Sequence, residues 1–184
     1  VLEEVGLKNI EVLVEDGTEV KAGTTLMSVR GDTRAILLAE RTALNFYSHL
    51  SGVATLTSIW VKEIAGTGCK VRDTRKTTPG YRELEKYAVR VGGGTNHRMS
   101  LSDAALIKDN HIAAAGGVKE AFKKVRAKYP TAEIEIEVDS IKQLEDVLEH
   151  GGADIVMLDN FNVANLKKAV KLAKGHVTLE ASGG

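Results

Sequence analysis

With 184 residues, 43% hydrophobic and 27% charged, the chain has the composition of a globular protein and the length for a sizeable core. Its 25 lysines and arginines balance 25 aspartates and glutamates, so the basic excess of a general nucleic-acid binder is missing. No apolar run approaches the roughly 20 residues of a membrane span, and the single cysteine, Cys69, excludes an intrachain disulfide and a cysteine-rich zinc site.

Residues 10–38 carry β signals. Ile10, Val12 and Val14 alternate with Glu11, Leu13 and Glu15 before an Asp16-Gly17 turn, and Val20 and Leu26–Val29 suggest further short strands. The apolar run Ala35–Ala39 reads as a strand end, so the segment is expected to be a small β-rich cap. Residues 15–23 also look like half of a lipoyl or biotinyl carrier domain, but no lysine stands on the expected hairpin tip to carry the cofactor.

A long helix is predicted from about Ala39 to Ile64. Ala43, Phe46, Tyr47, Leu50, Val53, Ala54 and Thr57 recur at helical spacing, and Trp60 and Ile64 continue the face. Phe46, Tyr47 and Trp60 are expected in the core. Ser51-Gly52 permits a kink or a close helix contact, and Glu40 and Lys62 suit the two ends of the helix dipole. Arg41, beside Glu40, reads by itself as a surface ion pair.

Strands and helices then alternate. Strands are predicted at Cys69–Asp73, Ala104–Lys108, Glu133–Val138, Asp154–Leu158 and Val177–Ala181. Helices are predicted at Glu83–Val91, with Leu84, Tyr87, Ala88 and Val91 on one face, and at Val118–Tyr129, Ile141–His150 and Val163–Lys174. Alternation of this kind means parallel β/α units. No Gly-x-Gly-x-x-Gly turn follows an early strand, which disfavours a doubly wound nucleotide fold. Each strand ends instead in polar residues: Asp73 with Arg75 and Lys76, Lys108 with Asp109, Glu137 with Asp139, Asp159-Asn160, and Glu180 with Ser182. Polar chemistry at the C-terminal mouth of successive strands is the pattern of a β/α-barrel active site, and five units make that barrel incomplete. The start at Val1 and the stop at Leu179–Gly184 lead to the expectation of a chain cut from a longer protein.

The segment Asp73–His111 is the richest in chemistry. Arg75, Lys76, Arg98 and Lys108 supply cations, and Gly92, Gly93 and Gly94 are expected to expose backbone N–H groups. Pro79 marks a fixed turn. Pooled with His97, Glu137 and Asp159, these cations suit a polyanionic substrate carried with Mg²⁺: cations clamp carboxylate or phosphate oxygens, and acids hold hydroxyls or metal-bound water. A basic solvated surface is the alternative reading of the loops, and a solvated strand face that of Glu137, which shares its side of the strand with Glu133 and Glu135. His49, His150 and His176 are expected to be surface or core residues, and His111 remains open between a structural and a supporting role. Lys108 at a strand end also admits a Schiff-base aldolase.

Seven motifs, in order, resemble quinolinate phosphoribosyltransferase: Arg41-Thr-Ala-Leu-Asn45, Ser51-Gly-Val-Ala-Thr55, Asp73-Thr-Arg-Lys-Thr-Thr-Pro-Gly80, Gly92-Gly-Gly-Thr-Asn-His-Arg98, Leu106-Ile-Lys-Asp-Asn-His111, Met157-Leu-Asp-Asn160 and Leu179-Glu-Ala-Ser-Gly183. The resemblance implies an α/β fold, an incomplete β/α barrel truncated here (43–184) and preceded by the remnant of an N-terminal α/β sandwich (1–42). It implies a cytoplasmic enzyme that transfers phosphoribose from phosphoribosyl pyrophosphate to quinolinate with Mg²⁺ and loss of CO₂, giving nicotinate mononucleotide and pyrophosphate for NAD synthesis. The resemblance further implies a homodimer or higher assembly with shared active sites, and neither a nucleic acid nor a membrane as partner. Carried over by the motifs, Arg75, Arg98 and Lys108 hold the quinolinate carboxylates, and Arg41 reaches the neighbouring subunit's pocket. Lys76 and His97 meet the phosphoribosyl donor, Glu137 and Asp159 meet its ribose hydroxyls or the metal, and Ser182 and Gly183 meet the 5′-phosphate. Lys108, Glu137 and Asp159 are the expected catalytic residues. A related pyrophosphorylase-like protein associated with molybdate transport shares several of these loops and is the nearest alternative.

Overall fold

In the computed structural model the β signals near the start of the chain yield one antiparallel pair, β1 (Asn9–Val12) with β2 (Met27–Arg30), in the register Asn9 to Arg30 and Val12 to Met27. The structure describes residues 1–183. Between the strands the chain turns at Glu15–Thr18, where Gly17 adopts φ +86° and the Thr18 amide donates to the Glu15 carbonyl, as Asp16-Gly17 predicted.

Helix α1 then runs from Thr33 to Glu63. Ala35–Ala39, expected as a strand end, forms its opening turns. The cause lies just upstream: the Asp32 carboxylate accepts hydrogen bonds from the Arg34 and Ala35 amides at 3.0 and 3.1 Å and caps the helix six residues earlier than the periodicity suggested. A short apolar run fits either element, so the cap decides. Glu40 consequently lies inside the helix rather than in its first turn, and Arg41 is exposed with no ion pair to Glu40. The helix passes through Ser51-Gly52 without a break, and a Cβ on Gly52 would meet nothing.

Helix α2 (Arg82–Val91) packs on α1. Gly92 makes the approach possible, because a Cβ there would lie 2.4 Å from the Ala54 carbonyl oxygen and 2.8 Å from Thr57 Cβ. Phe46 faces this side and stacks on Tyr81 with ring centroids 5.4 Å apart, as a core residue should. Tyr47 and Trp60, expected in the core, are exposed: they flank the buried stripe of α1, and α2 does not cover them. Leu84 and Tyr87 of α2 are likewise exposed, whereas Lys86 is buried. Of the predicted face Ala88 is buried and Val91 half-buried, so periodicity erred at Leu84 and Tyr87, where the buried stripe turns toward Lys86.

The chain divides after Met99, and the second unit begins at Ser100. It holds β3 (Ala105–Ile107), α3 (Asp109–Ala115), α4 (Val118–Lys128), β4 (Ile134–Val138), α5 (Ile141–His150), β5 (Ile155–Asp159), α6 (Val163–Ala173) and β6 (Thr178–Ser182). The four strands are parallel and ordered β3-β4-β5-β6, which realises the predicted β/α units. Ile134, Ile136, Val138, Val156 and Leu158 point to one face of the sheet, where they pack with Phe122, Leu144, Val147 and Ala169 as the core. Fully burying a side chain of this size contributes about 1.5–3 kcal/mol. Helix α3 was not foreseen, since Lys108-Asp-Asn-His read as a loop. Nor is Cys69–Asp73 a full strand: in the first unit it makes a single parallel bridge, Arg72 with Thr95. Its residues Lys70, Arg72 and Asp73 offer no apolar face for a sheet to bury.

Candidate active site

In the first unit the cationic loop begins at Asp73 and is held by its own polar atoms. The Lys76 amide donates to Thr74 Oγ1 at 3.0 Å, and the Thr77 amide to the Arg75 carbonyl at 2.9 Å. Thr78–Tyr81 closes as a type II turn: the Tyr81 amide reaches the Thr78 carbonyl at 3.0 Å, with Pro79 first in the turn and Gly80 second at φ +79°. This is the fixed turn expected at Pro79. Arg82 braces the loop through Nε to Thr77 Oγ1 at 3.1 Å. Glu85 accepts from the Thr78 amide at 3.0 Å and from His49 Nε2 at 2.8 Å, so His49 on α1 joins the support. Partial burial opposes ionisation of Glu85, but the hydrogen bonds from Thr78 and His49 together outweigh it and hold its carboxyl below the ordinary carboxylate range. An open cavity of about 260 Å³ follows the loop, lined by Asp73, Thr74, Lys76, Thr77, Glu85 and Lys86 among others.

Arg75 is half-buried, and its Nε is a buried donor with no acceptor among the described residues. Such a group is costly unless a partner arrives. Lys76 is exposed beside it, His97 is buried and Arg98 half-buried. The Gly92–Gly94 amides do not serve as anion donors, contrary to expectation. They donate to the Ala88, Arg90 and Val89 carbonyls at 2.9 Å each and finish helix α2.

In the second unit the expected residues align by strand register. Ile107 pairs with Ile136, Met157 with both Glu137 and Glu180, and Asp159 with Ser182. Lys108, Glu137, Asp159 and Ser182 therefore stand at the C-terminal ends of four successive parallel strands, on the face opposite the apolar core. Lys108 Nζ donates to Glu137 Oε2 at 2.5 Å. Glu135, on the same face, is 1% exposed, whereas Glu137 is half-buried. Asp159 Oδ2 accepts from Asn160 Nδ2 at 2.8 Å. Beyond it, the Asn160 amide donates to the Ser182 carbonyl at 2.8 Å with Asn160 at φ +54°. A cavity of about 420 Å³ opens there, lined by Asn160, Phe161, Leu166, Ala181, Ser182 and Gly183. Gly183 has φ +130°, and a Cβ on it would lie 2.5 Å from Asn160 Oδ1, so only glycine fits. His111 Nδ1 accepts from the Lys108 amide at 3.1 Å and caps α3.

The chain matches the family models for the N-terminal domain of quinolinate phosphoribosyl transferase over residues 2–51 and for its C-terminal domain over residues 53–184. It belongs to the quinolinate phosphoribosyl transferase family. Among its relatives in that family, a protein of Mycobacterium leprae named nicotinate-nucleotide pyrophosphorylase (carboxylating) is 50% identical over 190 residues, covering 100% of this chain and 66% of the relative. A Methanocaldococcus jannaschii protein, named a probable enzyme of the same kind, is 46% identical and matches 92% of this chain and 59% of its own length. The solved structure of the nicotinate-nucleotide pyrophosphorylase from Francisella tularensis superposes with a TM-score of 0.94 at 44% identity, over 99% of this chain and 65% of that one. The chain thus spans less than two thirds of these quinolinate phosphoribosyl transferase relatives.

Sequence reasoning missed Lys86, Arg82, Asn96 and Glu85, which hold the loops of the first unit. Lys86 gave no local signal, since a lysine in an amphipathic helix is ordinarily solvent-facing. Glu85 lies seven residues from the amide it accepts, and only the turn at Pro79-Gly80 brings the two together.

Proposed function

We propose that this chain carries the chemistry of a cytoplasmic quinolinate phosphoribosyltransferase that decarboxylates its ribosylated intermediate; the relatives' name, nicotinate-nucleotide pyrophosphorylase (carboxylating), supports the activity. The pyridine nitrogen of quinolinate attacks C1 of phosphoribosyl pyrophosphate, the bond from C1 to the pyrophosphate oxygen breaks, and pyrophosphate leaves with the electron pair. The pyridinium so formed accepts the electrons of the adjacent carbon–carboxylate bond. CO₂ departs, that ring carbon takes a proton, and nicotinate mononucleotide remains.

The observation that carries this reading is the buried, unanswered Nε of Arg75 on a braced loop, in a chain that matches both domains of the family. A guanidinium offers a planar carboxylate two parallel hydrogen bonds, so it orients the ring as well as binding it. Arg75 and Arg98 take carboxylate oxygens, as does Lys108, and holding the nitrogen in line with C1 gains rate through orientation. Lys76 and His97 favour the charge that develops on the departing pyrophosphate. Ser182 and Gly183 seat the 5′-phosphate beside their cavity, where the Gly183 backbone is open to close approach.

Glu137 and Asp159 fit Mg²⁺ by donor chemistry: each is a carboxylate with one oxygen committed and the other without a partner among the described residues. Mg²⁺ is ordinarily held by one or two carboxylates together with water and phosphate oxygens, and here it would neutralise pyrophosphate charge. The same carboxylates favour an oxocarbenium-like ribosyl centre.

A second copy of the chain is the proposed partner. Leu37, Leu38, Leu44, Leu56 and Ile59 are exposed on the side of α1 turned away from α2, and Arg41 lies among them. An apolar helix face of this extent is covered in a stable protein, and a partner settling there receives Arg41 at its site. Mixing inactive Arg41→Ala and Arg75→Ala proteins should restore part of the activity, and no recovery would argue against shared sites. The test of the whole reading is turnover of quinolinate, phosphoribosyl pyrophosphate and Mg²⁺ by the full-length protein. Formation of nicotinate mononucleotide and CO₂ in equal amounts is expected, and their absence would sink it.

A further inference from the structure

One of the residues that hold the loops of the first unit is itself a buried charge. Lys86, in the middle of α2, is 1% exposed. Its ammonium forms an ion pair with Asp73 and donates to the His97 carbonyl at 2.9 Å. Asp73 is the hub of the arrangement. Its Oδ1 also accepts from the His97 amide at 2.8 Å, and its Oδ2 accepts from Asn96 Nδ2 at 2.5 Å. Asn96 Nδ2 donates in addition to the Lys86 carbonyl at 2.9 Å, and Asn96 Oδ1 accepts from Arg90 Nη1 at 2.6 Å. The bonds form a closed ring through the start of the cationic loop, the middle of α2 and the segment Thr95–Arg98.

The placement of this ring is what matters. Arg75 and Lys76 follow Asp73 by two and three residues, His97 is a member of the ring, and Arg98 is its neighbour. The backbone joins the two segments at the Arg72–Thr95 bridge, with the Asp73 amide on the Thr95 carbonyl and the Thr95 amide on the Val71 carbonyl. Beyond the bridge, side chains tie the two segments together: the ring, and Arg82, which donates to the Arg75 and Met99 carbonyls. Burying a lysine and an aspartate is a poor way to gain stability, since their desolvation offsets most of their attraction, and apolar side chains would fill the same volume more cheaply. Directional bonds to a fully satisfied carboxylate do, however, specify one geometry. Lys86 also cancels the charge of a carboxylate that would otherwise repel an anion arriving at the neighbouring cations.

We propose that Lys86, acting through Asp73, is a positioning residue that fixes the separation of the two anion-binding segments, 73–80 and 94–98. The proposal rests on the assignment of Arg75, Lys76, His97 and Arg98 to substrate. It is tested on the full-length protein with Lys86→Met and with the double variant Lys86→Met/Asp73→Asn. The single variant leaves a buried carboxylate alone and is expected to fold poorly. The double variant removes both charges and keeps an acceptor for the His97 amide, so it should unfold cooperatively like the wild type. In the double variant, amide hydrogen exchange across 73–80 and 94–98 should quicken at least tenfold, and KM for quinolinate should rise at least tenfold per folded molecule. Native exchange, or quickened exchange with native KM, would overturn the proposal, because a role in folding alone leaves substrate affinity untouched. If the wild type forms no product from quinolinate, the functional assignment fails. The exchange measurement then still decides whether the ring fixes the two segments.

Discussion

In the second unit Lys108, Glu137, Asp159 and Ser182 owe their alignment to the register of a parallel sheet, whereas in the first unit Arg75, Lys76, His97 and Arg98 sit on irregular chain. The sheet needs only an apolar face to place its polar ends, and Ile134, Ile136 and Val138 supply it. The loops need side chains committed to holding backbone: Thr74, Arg82, Glu85, Asp73 and Lys86 are all engaged this way. Order taken from register is inexpensive and tolerant of local change. Order taken from a polar network is exacting, because each member leaves another unsatisfied when it is lost.

The largest expected effect tests the sheet side of this contrast. Leu144→Ala, at a fully buried position against β4, should cost about 3 kcal/mol in urea unfolding. A loss under about 1 kcal/mol would mean that the apolar face does not maintain the register. Next comes the floor of the loop side. Gly92→Ala drives a Cβ to 2.4 Å from the Ala54 carbonyl oxygen, and the resulting overpacking should cost about 2 kcal/mol. An unchanged melting temperature would show that α1 and α2 can separate without consequence.

Glu137→Gln sharpens the contrast from the other direction. The Lys108–Glu137 pair is partly exposed, with side chains 44% and 26% accessible, so after solvent screening its loss should cost less than about 1 kcal/mol of stability. Product formation should nevertheless fall at least a hundredfold, as a carboxylate at the ribosyl centre would require. Retained turnover would remove Glu137 from the proposed site.

The smallest effect concerns acid. Glu85 has a folded-state pKa below its unfolded value, so its contribution to stability is present above the ordinary glutamate range near 4.3 and is lost as pH falls through the folded value. Glu85→Gln should lose this contribution at neutral pH, lowering stability slightly there, and match the wild type well below about pH 4.3, so that its acid limb is flatter. An acid limb identical to the wild type would detach Glu85 from the Thr78 loop.

The same contrast explains what could be read from the sequence. Alternation of apolar and polar residues in β4 and the apolar run of β5, with the helix–strand spacing, located β4, β5 and β6 to within a residue or so and put Glu137 and Asp159 at strand ends, since such patterns are local properties. The chemistry of Arg75, Lys76 and Arg98 was also legible, through residue type and motif. What escaped was the means of holding them. Lys86 and Asp73 lie 13 residues apart and Asp73 and His97 lie 24 apart, and nothing in either stretch announces that they meet. Helix α1 was extended by a cap that periodicity cannot see, and Gly92–Gly94 looked like an anion loop because glycine that yields to a neighbouring helix has the same spelling as glycine that yields to a ligand.

The strand order of the second unit bears on how the chain is made. Because β3, β4, β5 and β6 lie side by side in the sequence in which they are synthesised, each strand finds its neighbour among residues just completed. No strand of this sheet must wait for a partner beyond the next crossover, so loop closure is met one β/α unit at a time. Such a sheet can grow by accretion as the chain emerges from the ribosome, with β3 as one edge and the newest strand as the other.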